Sequence, residues 1–151
     1  MDMRYVMITL ATAAVGTLGF SVLFYVHPRR LTLATLGGVL CTAIYLLAGH
    51  LIGGELLPNL LGAAVGAGFS EICARLTKVP VPIYMIPCVI PLVPGRALYA
   101  AMFNFVAGNY EAAGRAALTT LVVALGIAGG IVIASVVSLL VRPHKPSGKG
   151  C

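Results

Sequence analysis

The sequence predicts an all-α, polytopic transmembrane helical bundle of about five spans, the fourth broken by prolines. Three observations predict it. Of 151 residues, 60% are hydrophobic and only 9% charged, where an ordinary soluble domain carries roughly 25% charged residues; the mean hydropathy is +1.02. The apolar residues fall into runs of about 19 or more, enough to cross a hydrocarbon core of about 30 Å at 1.5 Å per residue. One of these runs holds Pro80, Pro82, Pro87, Pro91 and Pro94, each of which removes a backbone donor and clashes with the preceding helical turn.

The first span is read at residues 5–26. It is too long for the apolar core of a signal peptide, and no soluble domain follows it. His27-Pro28 closes it. The second, 31–52, ends at Gly53-Gly54 and Pro58, and the third, 56–74, ends before Pro80. The fourth is the broken stretch 79–108, closed by Gly108-Asn109, and the fifth is 116–141. Together they make a single transmembrane domain over 1–142, with 143–151 a short basic tail.

The cations set the expected orientation. Arg29, Arg30, Arg75, Lys78, Arg142, Lys145 and Lys149 fall on one side of this arrangement, and Arg4 and Arg115 on the other. The positive-inside rule then places the N-terminus outside and the C-terminus in the cytoplasm. Counting the broken stretch as one crossing is what keeps the basic clusters together. The same placement accounts for the net charge of +6 without nucleic acid, since the cations sit at span ends rather than in one stripe.

Other chemistries lack their residues. Cys41, Cys73, Cys88 and Cys151 have neither metal spacing nor a C-x-x-C pair, and His27, His50 and His144 complete no ligand set. Gly68-Phe69-Ser70 lacks the second glycine of a hydrolase elbow. No phosphate loop or dinucleotide fingerprint is present. The expectation is a non-enzyme without cofactor or metal.

Small residues recur every fourth position. Gly62, Gly66 and Ser70 share one face of the third span, and Gly126, Gly130, Ala134 and Ser138 one face of the fifth. Such stripes let helix backbones approach closely, whether within the chain or between subunits.

Candidate chemistry gathers at the break. In lipid, carbonyls freed by proline must find partners in protein or in a wet cavity, and transporters build binding sites from such interruptions. Pro91, Pro94 and Gly95 form the interruption, and Arg96 follows close to the middle of the fourth span. A midspan arginine is costly and faces a cavity or a partner. Beside the N-terminus of a half-helix it makes a seat for a carboxylate. Tyr99 and Asn104, three and eight residues on, extend a polar stripe that lines a cavity or bonds a neighbouring helix. Glu71 and Arg75, four residues apart near the end of the third span, read as an ion pair, or as a proton-carrying carboxylate with its partner. His50 and Glu55 lie at the outer end of the second span and in the loop after it.

The run from Ser70 to Pro80, S-E-I-C-A-R-L-T-K-V-P, followed by Ile86 to Gly95, I-P-C-V-I-P-L-V-P-G, resembles the threonine/serine exporter family. Leu98-Tyr99, Met102, Gly108-Asn109-Tyr110, Gly19-Phe20-Ser21 and Pro28-Arg29-Arg30 also fit, so the resemblance covers nearly the whole chain. It departs at Cys88, Asn109 and Arg96, where glycine, aspartate and a small or apolar residue are usual. The chain is similar to the small, C-terminal-half membrane subunit of the family. The resemblance implies a larger membrane subunit as partner, export of threonine, serine or related small carboxylates, and a bacterial inner-membrane location. Five spans make a thin wall around a cavity, so further copies of the chain are a possible complement. The competing expectation is a non-transporting scaffold that stabilises the larger subunit.

Overall fold

The computed structural model describes residues 3–141; Arg142 and the basic tail with His144, Lys145, Lys149 and Cys151 lie outside the described residues. Six helices follow in order: α1 (Met3–Leu23), α2 (Pro28–Ile52), α3 (Leu56–Thr77), α4 (Pro82–Val89), α5 (Gly95–Val106) and α6 (Tyr110–Leu140), with one 3-10 turn at Ile90–Leu92 between α4 and α5. Four of them, α1, α2, α3 and α6, are long and apolar enough to cross a membrane, and α4 with its 3-10 turn and α5 form a bent pair that together meets the same measure, which gives four spans, or five where the pair crosses as one. The chain is a multi-pass membrane protein.

The packing is built from small residues. Ala13, Thr17, Ala34, Cys41, Ala63, Ala67, Ser70, Ala74 and Cys88 are buried, while Leu, Val and Phe side chains cover much of the outside. Water would punish that outer surface; hydrocarbon does not, and close helix contact through small residues supplies the dispersion that holds a bundle in lipid.

Turn chemistry sets each reversal. Tyr25 takes the left-handed conformation at φ 53°, and Val26 N–H returns to the Ser21 carbonyl at 3.0 Å, which ends α1 at Leu23, short of the expected 26. Pro28 then opens α2 with its φ already helical. Gly53 and Gly54 both have positive φ, 71° and 72°, so the α2–α3 reversal needs two residues without Cβ. Lys78 ends α3 in the left-handed conformation, its N–H bonded to the Ala74 carbonyl. That cap extends the helix to Thr77, beyond the expected 74.

The register of the bundle is readable from its close contacts. Thr17 sits over Gly38 and Ala13 lines a pocket with Thr42, so α1 and α2 run antiparallel. Cys41 Sγ donates to the Gly62 carbonyl at 3.1 Å, fixing α2 on α3. α4 returns along both: Tyr84 clusters with Ala34, Cys73 and Ala74, and Leu92 with Cys41 and Ala63.

The bend between α4 and α5 is 54°. Pro87 lies inside α4 without ending it. The turn comes later, where Val93 swings to ψ 128° and Pro94 to ψ 53°. Pro87 occupies the second half of a helix only eight residues long, so few turns exist for it to distort. Pro94 instead follows an extended residue, the conformation that proline imposes on its predecessor.

α6 packs on α3 in a parallel sense. A Cβ at Gly126 would lie 2.7 Å from the Leu56 carbonyl oxygen, and one at Gly130 2.8 Å from the Ala64 nitrogen. Further along, Arg75 donates to Ser138. The C-terminal ends of α3 and α6 therefore lie at the same end of the bundle. The α6 stripe meets a neighbour within the chain, while Gly62 and Gly66 of α3 take Cys41 of α2.

α6 is 31 residues long and begins at Tyr110, six residues before the expected 116. Asn109 caps it by accepting from Ala112 N–H at 3.3 Å, and Glu111 in its first turn pairs with Arg115. Its first half, about 24 Å at 1.5 Å per residue, runs past the start of α3 and packs on α5.

Gly130→Leu is expected to force α3 and α6 apart and to destabilise the folded protein by about 1–3 kcal/mol. Gly129→Ala, where the nearest atom is Leu60 Cδ1 at 3.7 Å, is expected to be neutral or slightly stabilising. Unfolding curves of both variants in detergent, side by side with the parent, check this pair.

Candidate functional site

A cavity of about 500 Å³ opens where α2, α3, α5 and α6 meet beside the bend. Pro91, Pro94, Gly95 and Arg96 line it, and so do Tyr45, Glu55, Asn59 and Thr119. Each arrives for a local reason. Pro94 ends the 3-10 segment and leaves Gly95 and Arg96 as the first turn of α5. Glu55 precedes α3 because the two glycines before it reverse the chain there. Asn59 sits in the first turn and a half of α3, is only 2% exposed, and donates Nδ2 to the Glu55 carbonyl at 2.6 Å.

This arrangement has a definite electrostatic character. The N-termini of α3 and α5 both border the cavity, and each helix start carries partial positive charge on its unpaired N–H groups. Arg96 adds a full positive charge and Glu55 a full negative one. Asn59, Tyr45 and Thr119 add neutral polar residues to the lining, with the Thr119 hydroxyl donated to the Arg115 carbonyl at 3.1 Å. Walls of Leu92, Val93, Ala97, Ala100 and Val123 leave the rest apolar. The lining thus sets one cationic and one anionic side chain around a recess whose 500 Å³ lies within the range of small-molecule sites.

The structure does not bring Tyr99 and Asn104 to this cavity. Tyr99 is 69% exposed and stacks on Phe103 with ring centroids 6.1 Å apart. Asn104 bonds back to its own helix, Nδ2 to the Ala100 carbonyl at 2.7 Å. The cavity touches only the first turn and a half of α5, on the side of Arg96, Ala97 and Ala100. At 100° per residue Tyr99 points to the other flank of Arg96, and Asn104 lies two turns farther on.

Glu71 and Arg75 stand at the opposite end of α3. Glu71 is buried, and its Oε2 lies 3.7 Å from Arg75 Nη2. The same guanidinium nitrogen donates to the Ser138 carbonyl at 2.8 Å and to the Ser138 hydroxyl. The pair is thereby drawn into the α3–α6 seam, beside a groove of about 400 Å³ with largely apolar walls. Arg75 ties the last turn of α6 to α3. Among the described residues, no group of three His, Cys, Asp or Glu side chains is placed to hold a metal ion.

Sequence reasoning alone did not find Glu55, Asn59, Tyr45 and Thr119 as cavity residues. They come from three elements far apart in the chain, and only the packing of α2, α3 and α6 around the bend collects them. Asn59 carried a faint signal, as a polar amide in the apolar opening of α3.

A family model described as Threonine/Serine exporter, ThrE matches residues 9–137, a stretch that includes every cavity residue named above. No curated protein and no solved structure matches the chain.

Arg75→Met leaves the buried Glu71 carboxylate without its cation and is expected to cost about 1–3 kcal/mol of stability. Adding Glu71→Gln is expected to recover part of that loss, because no buried charge is then stranded. A double-mutant cycle read from detergent unfolding midpoints measures the coupling.

Proposed function

The chain belongs to the threonine/serine exporter family, and from that premise we propose that it is the membrane subunit of a two-component secondary exporter of small amino acids, threonine and serine foremost. Related small carboxylates are the wider class. Its partner is a larger membrane subunit of the same family, with further copies of the chain as a possible complement to the wall. Its place is a bacterial inner membrane, with the N-terminus outside and the C-terminus in the cytoplasm. The scattered cations support that orientation, since the end of α3 with Arg75 and Lys78 and the end of α6 lie together.

The observation that carries the proposal is the single cavity holding Arg96 and Glu55 beside a proline-made helix start. Arg96 takes the solute carboxylate, with the α5 N-terminus adding to the attraction. Glu55 takes the ammonium group. Asn59, Tyr45 and Thr119 offer hydrogen bonds to a side-chain hydroxyl. Pro91, Pro94 and Gly95 shape the recess and let α5 change its angle to α4. Tyr99 and Asn104 serve the same path when α5 turns. Export proceeds by rocking of one helix group against the other around this cavity. Glu71 with Arg75 is the ion pair that holds the α3–α6 seam through that movement.

With both subunits expressed, Arg96→Gln is expected to lower threonine and serine export at least tenfold. It is expected to lower succinate export as well, since both solutes present a carboxylate. Glu55→Gln is expected to lower amino-acid export and spare succinate. Export of the three solutes by cells with and without both chains, normalised to the amount of complex, checks this. Variants that change the yield of complex while leaving export per complex intact would favour the scaffold role.

A further inference from the structure

The parallel packing of α3 and α6 leaves a furrow on the outer surface of the bundle, the groove of about 400 Å³ beside Glu71 and Arg75. Ala64, Gly68 and Ile72 form its α3 wall, and Ile133 and Val137 its α6 wall. Ile72, Ile133 and Val137 are exposed, so the groove opens outward, where a spanning helix meets lipid. Gly68 sets it apart from the packed faces of α3. A Cβ at Gly62 would lie 3.1 Å from the Cys41 carbonyl oxygen and one at Gly66 2.9 Å from Cys41 Sγ, but one at Gly68 would meet nothing within 4 Å. The first two glycines admit α2. Gly68 borders open space instead.

The groove has the depth of one leaflet and polar groups at one end only. From Ala64, near the middle of α3, to Arg75, two residues from its end, is about 16 Å at 1.5 Å per residue. Half of a hydrocarbon core is about 15 Å. Glu71, Arg75 and Ser138 gather where both helices finish. Glu71 is buried, whereas the Arg75 side chain is 42% exposed. The hydrogen bonds of Arg75 among the described residues all come from Nη2, to the carbonyl and the hydroxyl of Ser138. Nε and Nη1 remain to donate. Lys78, three residues on, is exposed as well.

We infer that this groove binds an anionic phospholipid, with one acyl chain lying along Gly68 between α3 and α6 and the phosphate held by Arg75 and Lys78. Apolar walls with nothing between them lose dispersion contacts along their length, and an acyl chain matches both the depth and the chemistry of this furrow. A guanidinium recognises phosphate through its paired N–H donors, and a lysine adds a point charge. Since Glu71 offsets Arg75, Lys78 leaves this end of the groove net positive, which favours a lipid of net negative charge over a zwitterionic one. Basic sites between spanning helices hold acidic headgroups in the same manner. With the orientation proposed above, the lipid belongs to the cytoplasmic leaflet. Bound there, it bridges the last turns of α3 and α6 from outside. The inference needs the chain to span a membrane, not to export.

Native mass spectrometry of the full chain, purified in mild detergent and supplied with phosphatidylglycerol or phosphatidylcholine of the same acyl chains, reads the site. One phosphatidylglycerol is expected to be retained, at least threefold more than phosphatidylcholine. Gly68→Leu, whose side chain starts in open space and fills the groove, is expected to lower that retention at least fivefold. Lys78→Gln is expected to bring the two lipids within twofold of each other, and it decides the matter should Gly68→Leu fail to fold. Equal retention of both lipids by the parent overturns the inference. So does parent-like retention by Gly68→Leu, or a preference that Lys78→Gln leaves untouched. Displacement of phosphatidylglycerol by inorganic phosphate would make this a site for a free anion and overturns it too. Purified together with a larger membrane subunit, the chain is expected to keep the lipid. A lipid lost on forming that complex would assign the groove to a partner helix, against the inference.

Discussion

A peptide group in hydrocarbon has no water to bond, and the architecture follows from that constraint. Four long helices satisfy it within themselves. The stretch from Pro82 to Val106 cannot, because its prolines withhold donors and the 3-10 segment at Ile90–Leu92 breaks the regular ladder. The fold answers by placing α4 against α1, α2 and α3, with Tyr84, Cys88 and Leu92 buried, and by letting the interruption itself border a recess. Irregular backbone is tolerated at that depth only in such a setting. The cavity and the break are thus one solution to one requirement.

Small side chains make the solution possible. Gly62 and Gly66 admit Cys41, Gly38 admits Thr17, and Gly126 and Gly130 bring α6 onto the backbone of α3. With larger residues at those points the helices would stand off, and α4 would lose the walls that cover it. The bundle inverts the order of a soluble protein: alanine, cysteine, serine and threonine inside, leucine, valine and phenylalanine outside.

Much of this was legible beforehand. Apolar run length located the spans, the glycine pair at 53 and 54 located a reversal, and the prolines located the broken element. Helix ends differed where capping outweighed hydropathy. Asn109 started α6 early, and Lys78 carried α3 to Thr77. Of the site, the contiguous part was readable: Pro91, Pro94, Gly95 and Arg96 are neighbours in sequence and remain so in space. The distant part was not. Nothing in a single sequence says that Glu55 and Asn59 meet Arg96, since that depends on α3 and α6 running parallel. Tyr99 and Asn104 look like a continuation of the Arg96 stripe by spacing, but the recess ends before it reaches them.

The long α6 grips α3 only through its second half, from Gly126 to Ser138, while its first half and α5 extend beyond. That makes the glycine contact a fulcrum and the half that carries α5 a lever arm. A tilt of about 10° there displaces the far tip by about 4 Å over an arm of some 24 Å, and the Ser138 end, about 12 Å from Gly130, by about half as much. The longer arm is the one that passes Thr119 and the mouth of the cavity.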